Sequence, residues 1–174
     1  MRVSYRLRQG LQDLFAFCHS IDMDQVQRVL TPAQVSLFTR MTHAEQLHSL
    51  NVLRTVLEQA ENTPHDLQVA ALLHDVGKSR CPLNVAERSL AVVLHYLSPS
   101  VEARLSKAQH LNRWCAPFVV RRQHPCWSAQ MLRAVGASDR AVWLVEHHAD
   151  PLTQWQDHPF APLLARLQAA DDAN

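Results

Sequence analysis

The sequence predicts an all-α protein, on three observations. Glycine occurs only 3 times in 174 residues, so the chain has few points at which a helix is easily interrupted. Leu, Ala, Gln and Arg are abundant, and such residues lose little or no side-chain freedom in a helix. Apolar residues recur at three- and four-residue spacing, and no stretch alternates as a strand would. Hydrophobic residues make up 47% and charged residues 19%, the balance of a chain that folds around a core. The length suits a single domain, with helices in 1–41 expected to pack on a core formed by 42–172.

Taken in order, Leu7, Leu11, Leu14 and Phe15 place an amphipathic helix over 5–18. A short segment over 24–30 comes after it. Thr31-Pro32 is a helix start, with threonine as cap and proline in the first turn, and it launches a helix over 33–41. A longer helix is expected over 42–61, with Leu50, Leu53 and Leu57 on one side and His48, Val52 and Val56 towards another. Apolar on two sides, it suits the middle of a bundle. Asn62-Thr63-Pro64 breaks it. The next helix runs from His65 or Asp66 through Asp75 and stops at Gly77, in a left-handed cap position. Helices over 82–96 and 98–114 come next. Pro117 and Pro125 punctuate the approach to a helix over 126–135, closed by Gly136. Ser138-Asp139 caps a helix ending near His147-His148, Asp150-Pro151 stops it, and a last helix covers 160–170.

The formal net charge is +1, so the overall field does not draw the chain onto DNA or an anionic membrane. The longest apolar runs, such as 90–94, are far too short to cross a bilayer. The first residues lead into an amphipathic stretch and not the apolar core of a secretion signal. Cys18, Cys81, Cys115 and Cys126 form no C-x-x-C pair and read as thiols in a reducing compartment. The cytoplasm is the expected location.

Histidine is the outlier, with 11 copies, and position decides which of them matter. His74-Asp75 comes after Ala70-Ala71-Leu72-Leu73 and precedes Gly77-Lys78. An ionised aspartate beside a helix interior is costly unless it is paired, hydrogen-bonded or bound to metal. Successive helical residues point about 100° apart, so the pair faces one spot only if that spot lies beside the helix end. An imidazole with a carboxylate suits Fe, Mn, Zn or Co. His48, His124, His147-His148 and Asp171 stand at the edges of separate predicted helices, and bundles build metal sites from inward side chains of several helices. Other readings stay open at this point. Asp75 could form a helix-end ion pair with Lys78 or Arg80, and His48 could be a buried histidine bonded to a carbonyl. His124 could be a loop residue, and His147-His148 would suit the negative end of a helix dipole. Asp171 could be a solvated tail residue, with Asp172 beside it. His19, His43, His65, His95, His110 and His158 fall outside the pattern and read as surface or capping residues.

His48, His74-Asp75 and Asp171, in that order, resemble the signature of the HD-domain metal-dependent phosphohydrolases. His74-Asp75-Val76-Gly77-Lys78 is similar to the H-D-x-G-K variant of that signature, in which the lysine faces the substrate phosphate. His124-Pro125 and His147-His148 match the extra histidines of the family's dinuclear branch, which includes the HD-GYP cyclic-di-GMP phosphodiesterases. The resemblance spans roughly 42–172 and implies a compact multi-helix HD-domain-like bundle with a metal site between helices. It implies that His48, His74, Asp75 and Asp171 hold a first ion. Asp75 would bridge to a second ion held by His124, His147 and His148. One or two divalent transition metals are therefore expected, Fe or Mn ahead of Zn, Co, Ni or Mg. Asp75 and Lys78 are the expected catalytic residues. The implied reaction is hydrolysis of a phosphoester in a small phosphorylated molecule, a nucleotide among the candidates. After the paired histidines stands Ala149-Asp150-Pro151-Leu152 where the HD-GYP branch carries a glutamate and Gly-Tyr-Pro, which argues against cyclic-di-GMP. The stretch between Asp75 and His124 is long, with an insertion expected at 81–112. A di-iron oxygenase of HD type and a non-catalytic, ligand-binding HD-like domain remain the alternatives.

Overall fold

The computed structural model describes residues 20–83 and 115–174. The helices expected over 5–18, 82–96 and 98–114 lie outside them, apart from residues 82 and 83, which are not helical. Among the described residues the architecture is all-α, without strands. Its α-helices are α1 (Met23–Val29), α2 (Pro32–Phe38), α3 (His43–Glu58), α4 (His65–Leu73), α5 (Ala116–Ala134), α6 (Asp139–His147) and α7 (Ala161–Ala173). Two short 3-10 turns, Val76–Arg80 and Leu152–Gln154, come after α4 and α6. No helix among these residues is long and apolar enough to cross a membrane.

Capping signals set several starts. Thr31 and Thr42 each form a capping box, in which the Gln34 and Glu45 side chains accept in return from the cap residue's backbone amide. Ser138 caps α6 by accepting from the Ala141 amide, and its hydroxyl donates to Asp66 Oδ1 at 2.6 Å. Arg140 pairs with the same carboxylate. The beginnings of α4 and α6 are thereby tied together. Gly136 ends the turn after α5 with φ of 71°, a conformation that suits glycine.

The centre of the bundle is α4, not α3 as the apolar pattern predicts. Leu67 and all of Val69–Leu73 are buried, and α3, α6, α7, α1 and α2 pack around the helix. In contrast, α3 buries Leu50, Val52, Leu53 and Val56 but leaves Leu57 at 38% exposure. The chain after α4 also differs from expectation. The helix stops at Leu73 with His74 as its C-cap, and Gly77 falls inside the 3-10 turn rather than in a left-handed cap. A Cβ on Gly77 would lie 2.3 Å from the His124 carbonyl oxygen and 2.8 Å from Ser128 N. Glycine is needed there because the turn lies directly on α5, with the Gly77 amide donating to Ser128 Oγ at 2.7 Å.

Helix α5 also departs from expectation. It begins at Ala116, with Pro117 in its first turn, and runs through Pro125 to Ala134. Pro125 is therefore inside a helix and His124 is a helical residue. A proline in a helix interior ordinarily costs about 3 kcal/mol. Packing of this helix on the 3-10 turn and on α6 offsets that cost. The last helix extends to Ala173, so Asp171 is held in helical structure. Asn174 donates to Thr55 Oγ1 (2.9 Å) and to the Ala170 carbonyl (2.8 Å). Arg166 donates to the Val56 carbonyl and to Thr63 Oγ1, locking α7 to the end of α3.

Candidate metal centre

Five elements converge on Asp75. His74 caps α4, Asp75 lies between it and the 3-10 turn, and both therefore sit beside a helix end, where adjacent residues can face one point. His48 comes from α3, His124 from α5, His148 from the end of α6 and Asp171 from α7. The imidazoles form a chain, with ring centres 5.4 Å apart for His48 and His74 and 5.1 Å apart for His74–His148 and His124–His148.

Asp75 divides this cluster. Its Oδ2 lies 3.7 Å from His74 Nε2 and 2.5 Å from Lys78 Nζ, whereas Oδ1 lies 3.3 Å from His124 Nε2 and 3.9 Å from His148 Nε2. On the Oδ2 side, Asp171 Oδ1 meets His48 Nε2 at 3.0 Å and His74 Nε2 at 3.6 Å. The potential ligand atoms of His48, His74 and Asp75 lie within 4.8 Å of one another, and so do those of Asp75, His124 and His148.

The ring orientations are fixed from behind. His74 Nδ1 is 3.0 Å from the Ala71 carbonyl and His148 Nδ1 is 2.7 Å from that of Val145. His124 Nδ1 is 3.0 Å from the Arg121 carbonyl and 3.1 Å from that of Val120. A ring that donates from Nδ1 to a carbonyl presents a bare Nε2, the form in which histidine binds metal. His74 Nε2 is buried and makes no hydrogen bond. The Nε2 atoms of His124 and His148 face each other at 3.2 Å. Two lone pairs so placed repel unless a cation or proton lies against them. The donor set thus fits one or two divalent ions of borderline hardness.

The electrostatics express the same demand for positive charge. Burial alone would lower the pKa of His74, but the Asp75 and Asp171 carboxylates outweigh it and raise it to about 9. Burial would likewise raise Asp75, yet Lys78, His74 and His124 hold it well below the ordinary carboxylate range. Asp171 is also depressed, against its burial, by His48, which meets it at 3.0 Å, and by the neighbouring charge of His74. Burial, reinforced by His74 and His124, pushes His148 down to about 3, which keeps it neutral and available as a donor. Burial lowers the pKa of Lys78, but the Asp75 carboxylate, joined by Asp171 and Glu45, outweighs it and raises the pKa, so the ammonium stays charged.

Of the residues singled out in the sequence, His48, His74, Asp75, Lys78, His124, His148 and Asp171 are brought together. His147 is not. Its Nδ1 meets Asp150 Oδ2 at 2.8 Å and its ring packs against Trp143 and Trp155. Adjacent helical residues diverge by about 100°, so His148 facing the cluster turns His147 away from it. The helix-end ion pair between Asp75 and Lys78 is also present, so that reading and the metal-ligand reading describe one carboxylate. Two supporting residues carry no motif in the sequence. Ser128 seats Gly77, and the Gln168 amide donates to the carbonyls of His148 (3.0 Å) and Asp150 (2.7 Å). For Gln168 the available signal is its spacing, one turn before Asp171 on α7.

No curated protein and no solved structure matches the chain. A family model does, that of the HD domain, over residues 47–173. That span contains the whole cluster from His48 to Asp171 and most of the sequence, so the chain belongs to the HD domain family.

Proposed function

We propose that the protein is a metal-dependent phosphohydrolase acting on a phosphoester in a small phosphorylated molecule, a nucleotide among the candidates. His48, His74, Asp75 and Asp171 would hold one divalent ion, and Asp75, His124 and His148 a second. The observation that carries this reading is the divided carboxylate of Asp75, with Oδ2 towards His74 and Oδ1 towards His124 and His148. Ions in such a centre lower the pKa of water and neutralise charge developing on phosphoryl oxygens. Lys78, about one-third exposed, keeps Asp75 ionised and adds a positive charge at the rim that a phosphate would meet. His147 keeps Asp150. The order of histidines supports a relation to the dinuclear branch, while Ala149-Asp150-Pro151-Leu152 after the pair argues against cyclic-di-GMP as substrate. Fe or Mn is the expected metal, ahead of Zn, Co, Ni or Mg, and the imidazole and carboxylate donors are compatible with it. A cytoplasmic location is part of this reading, because Cys18, Cys81, Cys115 and Cys126 form no C-x-x-C pair.

The test is elemental analysis of protein purified without added metal, followed by a panel of phosphomonoesters and phosphodiesters. Two equivalents of Fe or Mn and metal-dependent turnover are expected. Full occupancy without turnover on any ester would sink the hydrolase reading in favour of a ligand-binding domain. O₂ uptake by a mixed-valent iron pair would sink it in favour of an oxygenase.

A further inference from the structure

His74 and His148 solve the problem of anchoring Nδ1 in the same way. Each is the C-cap of its helix, and each bonds a carbonyl three residues back. A helix leaves its last carbonyls without amide donors, so these acceptors come with the helix end. His124 has no such end nearby, because α5 continues to Ala134. Inside a helix each carbonyl is normally taken by the amide four residues on. The amide that would take the Arg121 carbonyl belongs to residue 125, and residue 125 is proline, which has none.

We infer that Pro125 is a positioning residue of the metal centre: by withholding an amide it opens inside α5 the acceptor that its two counterparts find at helix ends. The Arg121 carbonyl then shares the His124 Nδ1 proton, at 3.0 Å, with the Val120 carbonyl at 3.1 Å, and is the one of the two that no backbone amide can claim. The bare Nε2 is held 3.3 Å from Asp75 Oδ1. The next stretch of the helix is pinned, since Ser128 accepts the Gly77 amide and no Cβ would fit at Gly77. The backbone round His124 is thus held while one of its hydrogen bonds is exchanged for a ring contact. The role given to Nε2 rests on the metal-centre reading; the exchange of donors at Arg121 does not.

Pro125→Ala restores an amide that can reclaim the Arg121 carbonyl. If proline served only the helix, removing it would make the helix stronger and leave the site alone. The inference expects a stronger helix and a weaker site. Nitrogen-15 NMR of histidine-labelled, metal-free protein should show His124 protonated on Nδ1 in the wild type and a mixture of tautomers in the variant. Titration with Mn²⁺ should show the second equivalent weakened about 10- to 100-fold, as for loss of an outer partner, and the first changed by less than about threefold. A second variant places at position 125 an α-hydroxy acid with a methyl side chain, which has the shape of alanine but an ester oxygen in place of the amide. It should keep the wild-type tautomer and affinity. The inference is overturned if Pro125→Ala leaves the His124 tautomer unchanged, or if the alanine and ester variants behave alike. A wild type that binds no second equivalent would defeat the dinuclear reading, and the tautomer comparison would then decide this inference alone.

Discussion

On one side of Asp75 the donors are His48, with 21% of its side chain exposed, and Asp171, with 35%. On the other they are His124 and His148, at 9% and 4%. The first side adds a second carboxylate and carries the imidazole with the raised pKa, so its attraction for a cation is mainly electrostatic. The second offers two imidazole nitrogens held from behind by backbone carbonyls, so its attraction depends on preorganisation. His74 lies where the two meet. One centre therefore combines a charged, more accessible half with a dry and geometrically demanding one.

Breaking the shared carboxylate should erase the difference. Asp75→Ala is expected to weaken both metal equivalents by more than about 100-fold, beyond what loss of an outer partner costs, and to abolish turnover. Retention of either equivalent at full occupancy would show that the carboxylate does not join the halves.

Gly77→Ala should separate them. Its Cβ would collide with the His124 carbonyl and Ser128, both on α5, which carries only the buried half. Denaturant unfolding of the metal-free variant should show a loss of about 2–3 kcal/mol, as for overpacking in a tight core. Metal titration should show the second equivalent weakened far more than the first.

The halves should also respond differently to pH. A metal that binds His74 must displace a proton held with a pKa of about 9, whereas His148, at about 3, is already unprotonated. Affinity of the charged half should rise with pH, by up to about tenfold per unit, and level off near pH 9. Competition with a chelator from about pH 6 to 9 measures this. The sign for stability is the reverse. The folded-state pKa of His74 lies above its ordinary 6.5, so its contribution to the metal-free protein is fully present below that value and is lost as pH rises through about 9. A metal-free melting temperature that climbs over that interval would contradict the ion pairing around His74.

The smallest effect is expected from Gln168→Ala, which removes the amide from the His148 and Asp150 carbonyls. A loss of about 1–2 kcal/mol in unfolding is expected, together with a slightly weaker second equivalent.

The family pattern and most helix starts are legible in the sequence because their signals are local. Thr31, Thr42 and Ser138 each cap the helix that begins beside them whatever the rest of the chain does, and His74-Asp75 needs only a helix end nearby. Gly77 and Pro125 mislead for a shared reason. The usual local meaning of each is a left-handed cap and a helix break, whereas the contact between the 3-10 turn and α5 decides both. His147 looks like a partner of His148, although the turn of about 100° between neighbours already sets the two on different faces. The depth of α4 is hidden because a short apolar run looks alike whether one face or every face is covered.

Asp171 stands on the helix that Arg166 and Asn174 fasten to α3 and Gln168 fastens to the end of α6. An ion bound to Asp171 and His48 would add its binding free energy to that fastening, since occupancy of the native state alone stabilises it by mass action. Metal starvation would then shorten the survival of the polypeptide as well as silence it. The supply of metal would be recorded in how much of the protein persists.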